Sequence, residues 1–136
     1  MAGEFGICRL GIARSDRLGE VMLRGEIRYV NFGGAQSGEV AKRRPAVLVS
    51  NDALNAISAA LGRGVITVVP ITSNVRKVYP FQVRLPRKVT GLRIDTKAQA
   101  EQIRSISISR IGDRIGRLSA ELQEQLDTAL RLHLGL

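Results

Sequence analysis

The chain has one histidine, one cysteine, no tryptophan and only two tyrosines and three phenylalanines among 136 residues. The single histidine, His133, sits near the end of an expected terminal helix, where a cation suits the helix dipole. Neither a two-histidine acid–base site nor a serine–histidine hydrolase is therefore expected. The lone Cys8 cannot form an internal disulfide, which fits a reducing cytoplasm. Cys/His clusters for zinc are missing. The carboxylates of residues 22–136 are scattered singly rather than gathered as a two-magnesium site requires. No G-x-x-x-x-G-K-[ST] or G-x-G-x-x-G stretch occurs to cradle a nucleotide phosphate. Neither a metal nor a cofactor is expected. No apolar run approaches the ~18 residues of a membrane span, and residues 1–21 lack the apolar core of a secretory signal. A cytoplasmic protein without a membrane role is the expectation.

What is present is positive charge. Lys and Arg number 21 against 12 acids, a net of +9. Residues 1–21 contribute nothing to it, because Arg9, Arg14 and Arg17 are balanced by Glu4, Asp16 and Glu20. The excess belongs to residues 22–136, and a folded domain this basic attracts polyanions, nucleic acid above all. The length suits one domain around one core.

Residues 1–21 show no periodicity and are read as an N-terminal extension, disordered or left by expression, with Met22 a natural start; residues 22–136 form the single domain. Ile27, Tyr29, Val30 and Phe32 suggest a first strand. Residues 33–43 form a polar, glycine-bearing loop. Pro45–Ser50 reads as a buried strand, and Asp52–Leu61 as a short helix or an irregular excursion capped by Asn51 or Asp52. Val65–Val69 is the strongest strand and is expected to end at Pro70. Phe81–Leu85 alternates as a half-buried strand does, which puts Phe81 in the core with Val83 and Leu85. Leu92–Thr96 and Ala100–Ile108 suggest two more strands. Ser119 caps a final amphipathic helix whose apolar face is Leu122, Leu126, Ala129, Leu130 and Leu134. The expected fold is mainly β with helices (α+β), a small, partly open barrel with the C-terminal helix packed against it.

Two segments could carry chemistry. Lys42-Arg43-Arg44 stands directly before Pro45, at the entry to a buried strand. A guanidinium anchored there grips phosphate oxygens bidentately and keeps its charge. Pro70-Ile71-Thr72-Ser73-Asn74 offers hydroxyls and an amide at the end of another strand, although such residues are also ordinary in turns. Near them, Tyr79 is a candidate for base stacking.

At these residues the chain resembles the MazF/PemK (Kid) family of toxins from type II toxin–antitoxin systems. Arg44-Pro45-Ala46-Val47-Leu48-Val49-Ser50, Val69-Pro70-Ile71-Thr72-Ser73, Tyr79-Pro80-Phe81 and Ala100-Glu101-Gln102-Ile103-Arg104-Ser105-Ile106 occur in that family's order and rough spacing, and Arg24-Gly25-Glu26-Ile27 looks like its first strand. The likeness covers nearly all of residues 22–136 and is closest in look to mycobacterial members. It implies an SH3-like barrel of the MazF/Kid/CcdB type, a homodimer, and a sequence-specific endoribonuclease (an mRNA interferase) held in check by a MazE-like antitoxin. It also implies that Arg44 and Thr72 are catalytic, with Glu101 a candidate acid or base. Glu39, Lys42, Arg43, Ser73, Asn74, Tyr79 and Gln102 are candidate contacts to single-stranded RNA. The loop before Arg44 departs from the family pattern, keeping Glu39 but carrying Lys42 in place of a glycine.

RNA supplies its own nucleophile in the 2′-OH, so alignment, charge stabilisation and proton transfer suffice for cleavage to a 2′,3′-cyclic phosphate and a 5′-OH. Two other functions fit the same barrel, a CcdB-like poison of DNA gyrase that cuts nothing and an SH3-like module that binds RNA and leaves it intact.

Overall fold

The computed structural model describes residues 21–33 and 43–136. In them, seven antiparallel strands and three α-helices follow one another as β1 (Glu26–Asn31), β2 (Arg43–Leu48), α1 (Asp52–Leu61), β3 (Val65–Thr72), β4 (Gln82–Leu85), α2 (Arg87–Thr90), β5 (Thr96–Gln99), β6 (Arg104–Ser107), β7 (Ile111–Arg117) and α3 (Ala120–Leu134). The sheet runs β4-β5-β3-β2-β1-β7, with β6 also paired to β3. This is the expected mixed fold with a C-terminal helix.

The sheet is apolar on both faces. Ile27, Val47, Val69, Ile71, Val83, Leu85 and Ala98 form one core with Leu122, Leu126, Ala129 and Leu130 of α3. Met22, Val30, Ala46, Leu48, Ile66 and Val68 form a second with Ala59 of α1, Ile106 and Ile111. Alternation along β2 and β3 feeds both, since odd-numbered residues enter the first and even-numbered ones the second. Ser119 accepts a hydrogen bond from the Leu122 N–H at 3.2 Å and starts α3 as its sequence predicts. Asn51 does the same for α1 through the Leu54 N–H at 2.7 Å, so this segment is a helix.

Several strand boundaries differ from the sequence reading. Pro70 does not end β3, which continues to Thr72. A proline is tolerated within a strand where the ladder is already interrupted, and it is interrupted here. β6 pairs with Val65–Val68 and β5 with Ile71–Thr72, so Val69 and Pro70 are skipped on that edge. The opposing chain leaves the ladder there as a 3-10 turn, Ala100–Gln102, which divides the strand expected over Ala100–Ile108. Leu92–Asp95 is not a strand; pairing begins at Thr96, after α2 has ended on Gly91 in the left-handed conformation. Arg43 lies in β2 rather than in the loop. β7 escapes the pattern because only Ile111 of its residues is fully buried.

β1 carries a buried ion pair whose arginine reaches β7. The Arg28 Nε donates to Glu26 Oε1 at 2.9 Å, and its Nη1 and Nη2 donate to the carbonyls of Gly112 and Val21, both at 3.1 Å. Gly116 of β7 passes so close to α2 that a Cβ there would meet the Thr90 carbonyl oxygen at 1.9 Å.

Candidate functional site

Arg44 and Thr72 come from adjacent strands. The β2–β3 register pairs Leu48 with Val68, Val47 with Val69 and Ala46 with Pro70. The ladder ends there; carried two residues further, the same register places Arg44 across from Thr72 at the end of the two strands. Both side chains stand on the face of the second core. Arg44 pairs with Val30 of that core and shares a face with Ala46, while Thr72 points away from the face that Ile71 gives to the first core. The apolar interior thus gives way at one end of this face to an exposed guanidinium and a half-buried hydroxyl.

The Thr72 hydroxyl accepts from the Asn74 N–H at 3.3 Å, which leaves its hydrogen free to donate. Asn74 in turn accepts from the Arg76 N–H at 3.3 Å. The turn is therefore built by these side chains, with Ser73 and Asn74 exposed beside Thr72.

The polar row continues across the sheet. Thr72 pairs with Lys97 of β5, and Lys97 with Arg84 of β4. Arg84 is engaged by Asp95 at 2.9 Å, and the other Asp95 oxygen accepts from the Arg87 N–H at 2.9 Å. The Arg87 N–H, reinforced by the Arg84 guanidinium, outweighs partial desolvation and holds the Asp95 carboxyl below its ordinary value. Lys97 is 7% exposed and donates to the Lys77 carbonyl at 2.6 Å.

Glu101 stands in the 3-10 turn. Its Oε2 accepts from Gln82 Nε2 at 2.8 Å, and Gln82 Oε1 accepts from the Tyr79 N–H at 3.1 Å. Glu101 Oε1 is buried and has no hydrogen-bond partner among the described residues. No hydrogen bond or ion pair joins Glu101 to Arg44 or Thr72 among those residues, and Gln102 is exposed beside it. Tyr79 is 42% exposed; its ring stacks on Phe81 at 5.4 Å and carries the Lys77 ammonium over its face at 4.8 Å. Phe81 does not enter either core as its alternation predicts; it precedes β4 and packs on Tyr79, while Gln82 takes the first buried position.

Arg43 is not gathered with Arg44. Being adjacent in one strand, the two point to opposite faces, and Arg43 lies over the Tyr29 ring at 5.0 Å. There it lines a separate cleft of about 310 Å³ with Tyr29, Asn31, Arg110 and Asp113. Glu39 and Lys42 lie outside the described residues. Lys97, Gln82 and Arg84 are the polar residues that the sequence reading passed over. The signal for Lys97 was Lys97-Ala98-Gln99-Ala100, a polar/small alternation that marks a strand with one polar face once pairing starts at Thr96, and Gln82 and Arg84 are the polar positions of the Phe81–Leu85 alternation.

Among the described residues no group of three or more His, Cys, Asp or Glu could hold a metal ion, and no helix is long and apolar enough to cross a membrane.

Residues 23–134 match the family model of the PemK-like, MazF-like toxin of type II toxin–antitoxin systems. The chain is 59% identical over 116 residues to endoribonuclease MazF9 of Mycobacterium tuberculosis, covering 85% of this chain and 98% of that protein. It is 44% identical over 89 residues to the probable endoribonuclease MazF1 of the same organism, covering 65% and 96%. Among solved structures, a MazE–MazF crystal structure from Deinococcus radiodurans superposes with a TM-score of 0.69 at 28% identity, covering 85% of this chain and 97% of that one. A mycobacterial endoribonuclease in complex with its cognate antitoxin superposes with a TM-score of 0.66 at 22% identity, covering 86% and 96%, and supports the fold alone.

Proposed function

The chain belongs to the PemK-like, MazF-like toxins of type II toxin–antitoxin systems, and on that premise we propose that it is a metal-independent, sequence-specific endoribonuclease acting on single-stranded RNA. The observation that carries the reading is the β2–β3 pairing, whose register brings Arg44 and Thr72 to the same end and the same face of two adjacent strands. An exposed guanidinium on a strand and a hydroxyl able to donate, on neighbouring strands, form a two-donor site for the nonbridging oxygens of a phosphate.

The reaction follows from what RNA brings. The 2′-oxygen attacks the adjacent phosphorus in line, the P–O5′ bond breaks, and the products are a 2′,3′-cyclic phosphate and a 5′-hydroxyl. Arg44 neutralises the negative charge that gathers on the phosphorane, and Thr72 donates to one of its nonbridging oxygens. One proton leaves the 2′-OH and one reaches the departing O5′. Guanidinium holds its proton too tightly to serve as the base, so Glu101 takes the role by its carboxylate chemistry. Ser73, Asn74, Tyr79 and Gln102, exposed beside these groups, contact the flanking nucleotides, and Glu39 and Lys42 do so from the segment before Arg44.

The protein works as a cytoplasmic homodimer and is neutralised by a MazE-like antitoxin, whose acidic segment occupies the same basic face and displaces RNA. The MazE–MazF crystal structures from Deinococcus radiodurans, 28–29% identical to this chain, support the antitoxin partner.

A gel assay of a long RNA in EDTA tests the proposal. Discrete fragments with the wild-type protein and none with Arg44→Ala are expected. Intact RNA, or cleavage of an all-deoxy oligonucleotide, overturns it.

A further inference from the structure

Lys97 is the unexplained charge of the sheet. It is a cation with 7% of its surface exposed, and no carboxylate lies within ion-pairing distance of it among the described residues. The two acids that flank β5 in sequence are committed elsewhere, Asp95 to Arg84 and the Arg87 N–H and Glu101 to Gln82. An ammonium has three donors. One is used on the Lys77 carbonyl at 2.6 Å, and the group also lies 5.9 Å from the centre of the Tyr79 ring. The other two donors are unfilled among the described residues. A buried cation without a counterion is costly unless an anion arrives to meet it.

Its position says which anion. Thr72 and Lys97 are direct cross-strand partners, so their side chains leave the sheet on the same face. Arg44 flanks Thr72 from β2, and Lys97 flanks it from β5. Resting on the ribonuclease reading above, we infer that Lys97 is a third substrate-binding residue of this site, whose ammonium holds a nonbridging phosphate oxygen of the RNA beside Thr72. The Lys77 carbonyl fixes the ammonium in place beside the Tyr79 ring. The cation thereby sets the path of the strand across β3 and β5.

Binding of a mixed-sequence 2′-O-methyl oligoribonucleotide, which cannot be cleaved, tests the inference apart from catalysis. Lys97→Met should weaken binding about tenfold at moderate salt and lower the slope of log K against log salt by about 0.7, the share of one phosphate contact on a single strand. Lys97→Arg should restore most of both. Lys97→Gln, which keeps a donor for the Lys77 carbonyl but no charge, should behave as Lys97→Met does. Wild-type affinity and salt slope in Lys97→Gln would reduce Lys97 to a tether for its loop and overturn the inference, as would an unchanged slope in a folded Lys97→Met. Cleavage of RNA by the wild-type protein is measured in parallel. Its absence removes the ribonuclease reading, while the binding data still decide whether Lys97 meets phosphate.

Discussion

The Gln82 side chain ties the Glu101 carboxylate to the backbone of Tyr79, donating at 2.8 Å to the one and accepting at 3.1 Å from the other. One carboxylate oxygen is thus oriented from β4, and the second is buried without a partner among the described residues. If Glu101 accepts the 2′-OH proton, Glu101→Gln should lower kcat by about 100-fold to 10,000-fold with the fold intact. Gln82→Leu should lower kcat less, by freeing the carboxylate and the Tyr79 amide together. Single-turnover cleavage of a defined RNA measures both. Full activity in Glu101→Gln beside an inactive Arg44→Ala would transfer the proton to another group.

Arg44 and Thr72 should separate by the kind of donor each supplies. Thr72→Val keeps the shape and removes the hydroxyl, and it should cost about 100-fold in kcat with little change in RNA affinity. Arg44→Lys keeps the charge but loses the planar fork, so it should fall between wild type and Arg44→Ala. Steady-state kinetics on one substrate, with a thermal melt to confirm folding, is the check.

Gly116→Ala is expected to destabilise the protein by about 1–3 kcal/mol, since overpacking forces the backbone to move. The obstacle is the Thr90 carbonyl oxygen, 1.9 Å from the added Cβ, rather than a side chain that can swing away. Urea unfolding measures the loss. An unchanged midpoint would contradict the close approach of β7 to α2.

Asp95 makes a pH-dependent contribution. Its carboxyl is held below its ordinary value by the Arg87 N–H and Arg84, so the folded state favours the charged form. The stabilisation is complete above the ordinary carboxylate range and is lost as pH falls through the lowered value. Asp95→Asn should therefore melt lower than wild type at neutral pH, with the gap closing in acid. A gap that stays constant with pH would assign the difference to packing.

Much of this architecture was legible because alternation and capping act locally. Val83 and Leu85 are in the core as the period of two demands, and Ser119 and Asn51 cap the helices that follow them. The errors arose where a distant partner decides. Pro70 looked like a terminus, but the chain opposite it had already left the ladder at Ala100–Gln102. β7 carries few buried residues and owes its place to pairing with β1 and to the Arg28 guanidinium, which donates to the Gly112 carbonyl. Arg44 and Thr72 were each visible, yet their opposition depends on the β2–β3 register. Lys97 was missed because its burial comes from Lys77 and Tyr79, some 20 residues away in sequence.

The central claim, that Arg44 and Thr72 promote attack by the RNA's own 2′-OH, is tested most directly by the chemistry of the fragment ends. RNA cut in EDTA should carry 2′,3′-cyclic phosphates and 5′-hydroxyls at every site, with no fragments from the Arg44→Ala protein. Fragments ending in a 3′-hydroxyl and a 5′-phosphate would contradict it.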